Sequence, residues 1–159
     1  MNKYSGIFAK INIQLLRFNE FLDKNYKIKE LDVTDAATYR DITNKVAYED
    51  QDPWPNGEQS GVYILSGFKE SNASQLGIYI GKASFGKIGK RLYTHLRKCS
   101  HLEYPTMKDS GGDTYILEYL TTIVFYTLAM APFTSALEEY LITHLRSEVN
   151  LINSVGNSD

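Results

Sequence analysis

Two short runs of strand-forming residues, 61–66 (GVYILS) and 76–81 (LGIYIG), stand nine residues apart in the chain. Their β-branched and aromatic content favours extended backbone, and the polar link GFKESNASQ between them reads as a connecting loop. The pair therefore predicts an antiparallel hairpin. A third apolar segment lies in residues 115–130 and contains TTIVFYTLAM, whose composition favours a buried strand over a helix. Residues 105–113 (PTMKDSGGD) read as a loop before it.

Helical spacing appears on both sides of these strands. In residues 7–23, Ile11, Leu15, Phe18 and Leu22 fall on one face. Thr34 or Asp35 can cap a second helix over about 35–48. Residues 86–99 and 135–147 predict two more helices. Between the early helices and the first strand, DQDPWPNGEQSG interrupts any regular element with two prolines and an Asn-Gly pair. We place a boundary there, giving an N-terminal helical extension (1–60), a core (61–153) and a short tail (154–159). The fold expected is α+β: a small three-stranded antiparallel sheet flanked by helices, with the extension attached.

The 159 residues suit one core, and 43% hydrophobic with 23% charged residues is ordinary globular composition. No run of 18 apolar residues is present, so no membrane-spanning helix is expected. The opening MNKYSGIFAKINIQ lacks a signal peptide's apolar core and cleavage site. A lone cysteine, Cys99, excludes a disulfide within the chain and a cysteine-based zinc site, which points to a reducing cytoplasmic setting.

Charge is distributed unevenly. The whole chain carries net −2, yet residues 61–100 hold seven Lys and Arg against one Glu, net +6. A local basic block in an acidic chain attracts anions, although a solvated basic helix face is the plainer reading of charge alone. In the helix over 86–99, Ile88, Leu92, Leu96 and Cys99 form an inward stripe. Lys87, Arg91, His95 and Lys98 each precede one of them by one residue, rotated by roughly 100° into a basic stripe that Lys90 and Arg97 extend. Arg91 and His95 are one turn apart, so both reach one spot. A shared phosphate accounts for such crowding better than helix stability does. In the last helix, Glu138 shares a face with Leu141, Ile142 and Leu145, whereas Glu139 points to solvent. Two readings of Glu138 stand side by side. Ser135-x-x-Glu138 fits a capping box, and an inward carboxylate also fits a hard cation such as Mg²⁺.

In this order the residues resemble the GIY-YIG nuclease superfamily. Gly61-Val62-Tyr63 followed by Tyr79-Ile80-Gly81 is similar to the family's signature, with Val for Ile. Arg91 lies 12 residues beyond Tyr79, and His95 follows in an R-x-x-x-H arrangement. Leu137-Glu138 with Leu141-Ile142 resembles the family's glutamate helix, and Asn150, in VNLIN, matches its late asparagine. The resemblance covers about 61–153 and leaves out 1–60.

The resemblance implies a metal-dependent endonuclease acting on DNA, with RNA not excluded. Tyr63 would sit by the attacking water as general base or proton relay, assisted by Tyr79 and His95. Arg91 would stabilise charge on the phosphate, and Lys82 would touch the scissile phosphate or the water. Glu138 would hold one Mg²⁺ or Mn²⁺, and Asn150 would support the site. Lys87, Lys90, Arg97 and Lys98 would contact nucleic acid. His95 and Lys82 resemble the restriction-enzyme branch, for which a homodimer is the natural expectation because both strands must be cut. A nuclease toxin or mobile-element nuclease, a non-catalytic nucleic-acid-binding module, and an interaction protein using its basic block are the alternative readings.

Overall fold

A computed structural model describes residues 3–34, 39–42, 56–84, 87–96, 105–125 and 130–153. The sequence dictates the first helix, α1 (Ser5–Asn19), through Phe8, Ile11, Leu15 and Phe18, spaced to make one continuous buried stripe. Beyond its end, two asparagines on one side of α1, seven residues apart, strap the returning chain to it. The Asn12 amide donates to the Leu31 carbonyl at 2.9 Å and accepts from the Leu31 N–H at 2.8 Å. Asn19 makes the same pair of bonds with Ile28, at 2.8 and 2.7 Å. An asparagine side chain carries both a donor and an acceptor, so it pairs with backbone as a neighbouring strand would.

The sheet is larger than the sequence suggests. Three long strands form its middle: β2 (Ser60–Lys69), β3 (Asn72–Ala83) and β5 (Thr114–Phe125), with β2 antiparallel to both others. Three short strands extend it: β1 (Tyr39–Asp41), β4 (Thr106–Lys108) and β6 (Asn150–Leu151). The strand order is β1-β5-β2-β3-β6, with β4 also on β5, and the β3–β6 pairing is parallel. The expected small three-stranded antiparallel sheet is thus corrected to a six-stranded mixed one, within the α+β class. The physical reason is edge coverage. An apolar strand such as β5 exposes unpaired backbone if left at an edge. Here β1 covers 119–121 and β4 covers 114–116 of the same edge.

Three local expectations change with it. Residues 39–41 are strand rather than part of a helix over 35–48, and the rest of that span is outside the described residues, apart from Ile42. The connection 67–75 is mostly strand, because β2 and β3 run on beyond their apolar stretches to a turn at 70–71, with residues 70–74 exposed. Part of 105–113 is β4. The register along β5 skips Glu118, since Ser66 faces Tyr119 and Gly67 faces Leu117. That bulge turns the Glu118 carboxylate toward Tyr4, whose hydroxyl donates to it at 2.5 Å, and Lys3, at 2.7 Å.

Two apolar layers sandwich the sheet. On one face α1 and α3 (Ala131–Leu145) pack on Val62, Ile64, Ile78, Ile80 and Ile123. On the other, α2 (Ile88–Leu96) buries Ile88, Leu92 and Leu96 against Tyr63, Leu65 and Tyr79. Among the described residues no helix is long and apolar enough to cross a membrane.

Candidate active site at the Tyr63 hydroxyl

Alternation along β2 sends Val62 and Ile64 to the α1/α3 face and Tyr63 to the α2 face. Tyr63 is 1% exposed and Tyr79, on β3, is 8% exposed. Their ring centroids lie 6.2 Å apart and their hydroxyls are hydrogen-bonded. Gly81 stands opposite Tyr63 in the β2–β3 register, and the Tyr63 ring lies across it. A Cβ at Gly81 would fall 2.4 Å from Tyr63 Cζ and 2.5 Å from its hydroxyl oxygen. The glycine closing Tyr79-Ile80-Gly81 is therefore the space that the first tyrosine of the pair occupies.

The next residue, Lys82, alternates to the α3 side. Its Nζ lies 2.8 Å from Glu138 Oε2. One turn earlier on α3, Ser135 Oγ lies 3.3 Å from Ser84 Oγ. Lys82 of β3 and Ser84 just past its end thus meet residues 138 and 135 of α3 in two polar rungs. Ser135 sits inside α3, which begins at Ala131, so it caps nothing, and of the two readings of Glu138 the capping box drops out.

The Tyr63 hydroxyl feels Tyr79, Arg91 and Glu138. Burial pushes its pKa far above the ordinary tyrosine value, and Tyr79 and Glu138 push the same way. The Arg91 guanidinium, carried by α2, acts in the opposite direction. At neutral pH the Tyr63 hydroxyl keeps its proton and is a donor.

The turn 56–59 fixes α2, and with it Arg91. Ile88 N–H donates to the Gln59 carbonyl and Gly89 N–H to the Gly57 carbonyl, each at 2.9 Å. Asn56 takes a left-handed φ of 55° and its amide donates to Thr122 Oγ1 at 2.8 Å. Glu58 pairs with Lys87.

Of the residues singled out from sequence, Tyr63 and Tyr79 pack together on the α2 face, Lys82 pairs with Glu138 on the α3 side, and Arg91 and Glu138 act on the Tyr63 hydroxyl through their charge. His95 occupies α2 one turn past Arg91, and its side chain is outside the described residues. Lys90 and Arg91 are exposed on α2, while Arg97 and Lys98 fall outside the described residues. Asn150 does not join the group. It lies on β6 opposite Gly77, exposed, with its amide donating to the Leu76 carbonyl at 2.9 Å. That is four residues along β3 from Gly81, about 13 Å at ~3.3 Å per residue. The asparagine that grips the site strand is Asn153, which sequence reasoning passed over. It accepts from the Ile80 N–H at 2.8 Å and donates to the Ile80 carbonyl at 2.6 Å, between Tyr79 and Gly81. Its signal was present: VNLIN holds two asparagines.

No group of three or more His, Cys, Asp or Glu able to cage a metal occurs among the described residues. Glu138 is a single, largely buried carboxylate. That suits Mg²⁺, which keeps several waters and is held by one or two carboxylates plus substrate phosphate. No family model, curated protein or solved structure matches the chain.

Proposed function

We propose that the protein is a GIY-YIG-type nuclease that hydrolyses DNA phosphodiester bonds with Mg²⁺ or Mn²⁺. The observation that carries this reading is the buried Tyr63–Tyr79 pair over Gly81, with the charges of Arg91 and Glu138 acting on the Tyr63 hydroxyl and Lys82 bound to Glu138. In hydrolysis, water adds to phosphorus, the bond to the leaving sugar oxygen breaks, and a proton passes from the water to that oxygen. Negative charge grows on the phosphate oxygens meanwhile, and fixed cations oppose it best where it develops. Arg91 and Lys82 are those cations. Glu138 would hold the metal, which when bound supplies Lewis-acid stabilisation of that charge. Lys82 would then be released from Glu138 toward the phosphate. Tyr63, held protonated by burial, orients the water and relays its proton through Tyr79 rather than serving as a ready-made base. Restriction-type cleavage of both strands by a cytoplasmic homodimer is the form of the activity that the residue pattern favours.

Supercoiled plasmid incubated with Mg²⁺ tests the reading. Wild-type protein and Glu139→Ala are expected to cut, whereas Glu138→Ala and wild type with EDTA are not. Plasmid left intact by wild type with both Mg²⁺ and Mn²⁺ would reject the nuclease and leave a binding module of the same fold.

A further inference from the structure

The outer face of α2 carries more than the phosphate-directed Arg91. Tyr93 projects from it with 55% of its surface exposed. The other large apolar side chains exposed among the described residues, Ile13, Leu16, Phe21 and Tyr26, all lie on α1 or just after it. Successive residues rotate by roughly 100° about a helix. Extending the helical frame back to Lys87 and taking Arg91 as origin, Lys87 lies about 40° away, Lys90 about 100° and Tyr93 about 160°, all in the same rotational direction. Lys87, Lys90 and Arg91 are all exposed. The surface therefore runs from the Arg91 guanidinium, across two lysines, to an aromatic ring. Burial does not explain the ring's place, because Ile88, Leu92 and Leu96 already form the inward side.

We propose that Tyr93 is a stacking platform for an unpaired base, and that α2 binds a single-stranded polynucleotide whose phosphates follow Arg91, Lys87 and Lys90. The identity of the ligand rests on the nuclease reading above. A convex helix face offers a π surface only to a base that has left its stack, since duplex bases are covered by their neighbours. Cations that track the backbone next to an aromatic ring are the shared arrangement of proteins that hold single strands. Of the +6 block, Lys90 and Arg91 on α2 supply the charge complementarity with Lys87, which is paired with Glu58, whereas Lys69 and Lys82 pair with Asp113 and Glu138 elsewhere.

Binding measured in EDTA separates this proposal from cleavage. Fluorescein-labelled oligothymidylate, oligouridylate and a blunt DNA duplex are titrated with wild type, Tyr93→Ala, Tyr93→Phe and, as a control for an exposed aromatic elsewhere, Phe21→Ala. The expected result is that Tyr93→Ala weakens single-strand binding about tenfold. Tyr93→Phe and Phe21→Ala stay within about twofold of wild type, because the π face at 93 is kept. Duplex binding is unchanged by Tyr93→Ala. Loss confined to one oligonucleotide assigns DNA or RNA as the strand held. Single-strand binding unchanged in Tyr93→Ala, or an equal loss on the duplex, would overturn the platform. If wild type cuts plasmid while Tyr93→Ala binds normally, only the platform falls. If wild type never cuts but the Tyr93 dependence holds, only the nuclease reading falls.

Discussion

The two faces of the sheet are built differently. The face under α1 and α3 buries mostly aliphatic side chains, among them Ile11, Leu15, Val62, Ile64, Ile78, Ile80, Leu137 and Leu141. The face that α2 covers buries fewer side chains, and beside aliphatics such as Leu65, Leu117 and Leu120 it holds three tyrosines, Tyr63, Tyr79 and Tyr115; its helix has nine residues. The first face has two helices of 15 residues each. Area removed from water is the main source of folding free energy, so the first face carries stability and the second is free to hold polar chemistry. Lys82 and Glu138 join the two, because they sit at the margin where α3 meets the end of β3.

This contrast makes predictions of graded size. Leu141→Ala on the α3 face opens a cavity in a site with no exposed surface, and should lower stability by about 2–5 kcal/mol in urea unfolding. A value under ~1 kcal/mol would mean that the α3 layer packs loosely. A smaller effect is expected from Asn153→Ala, which strands both the N–H and the carbonyl of buried Ile80 and should cost about 1–3 kcal/mol. Asn150→Ala removes one exposed bond and should cost less than ~1 kcal/mol. Equal effects at the two positions would contradict the placement of the site strand by Asn153.

The smallest effect is on the pH profile. Burial raises the Tyr4 and Tyr63 hydroxyls above their ordinary value of 10.0, so the folded protein keeps protons that the unfolded chain releases. Their contribution to stability is complete below pH 10 and declines as pH rises beyond it. Tyr63→Phe and Tyr4→Phe should each flatten the alkaline limb of a stability–pH curve. An alkaline limb identical in both variants and wild type would show that neither hydroxyl is held protonated by the fold.

Much of the α1/α3 face was legible because periodicity spells it out. Ile11, Leu15, Phe18 and Leu22 repeat with a helix's period, and all four are buried. The long strands announced themselves through GVYILS, LGIYIG and TTIVF, although their ends did not, since solvent-facing residues such as Lys69, Asn72 and Ser74 carry no apolar alternation. Strands of two or three residues leave no period to read. Tyr39–Asp41 is a strand only because the edge of β5 needs a partner and Tyr119 offers Tyr39 a ring to stack on, at 4.5 Å. In the candidate site, residue types and order were readable, while pairings were not. Nothing local says that Lys82 binds Glu138 across the margin of the sheet, or that Asn153 rather than Asn150 holds Ile80.

The most direct test sets two neighbours on one helix against each other. Glu138→Ala and Leu141→Ala lie one turn apart on α3, and each is assayed for Mg²⁺-dependent plasmid cutting and for its urea midpoint. Glu138→Ala is expected to lose cutting by at least about 10²-fold while its midpoint falls less than that of Leu141→Ala, since a half-buried ion pair contributes less than a fully buried leucine. Leu141→Ala is expected to lower the midpoint and still cut under conditions where it is folded. Cutting retained by Glu138→Ala would contradict the assignment of this site as the catalytic centre.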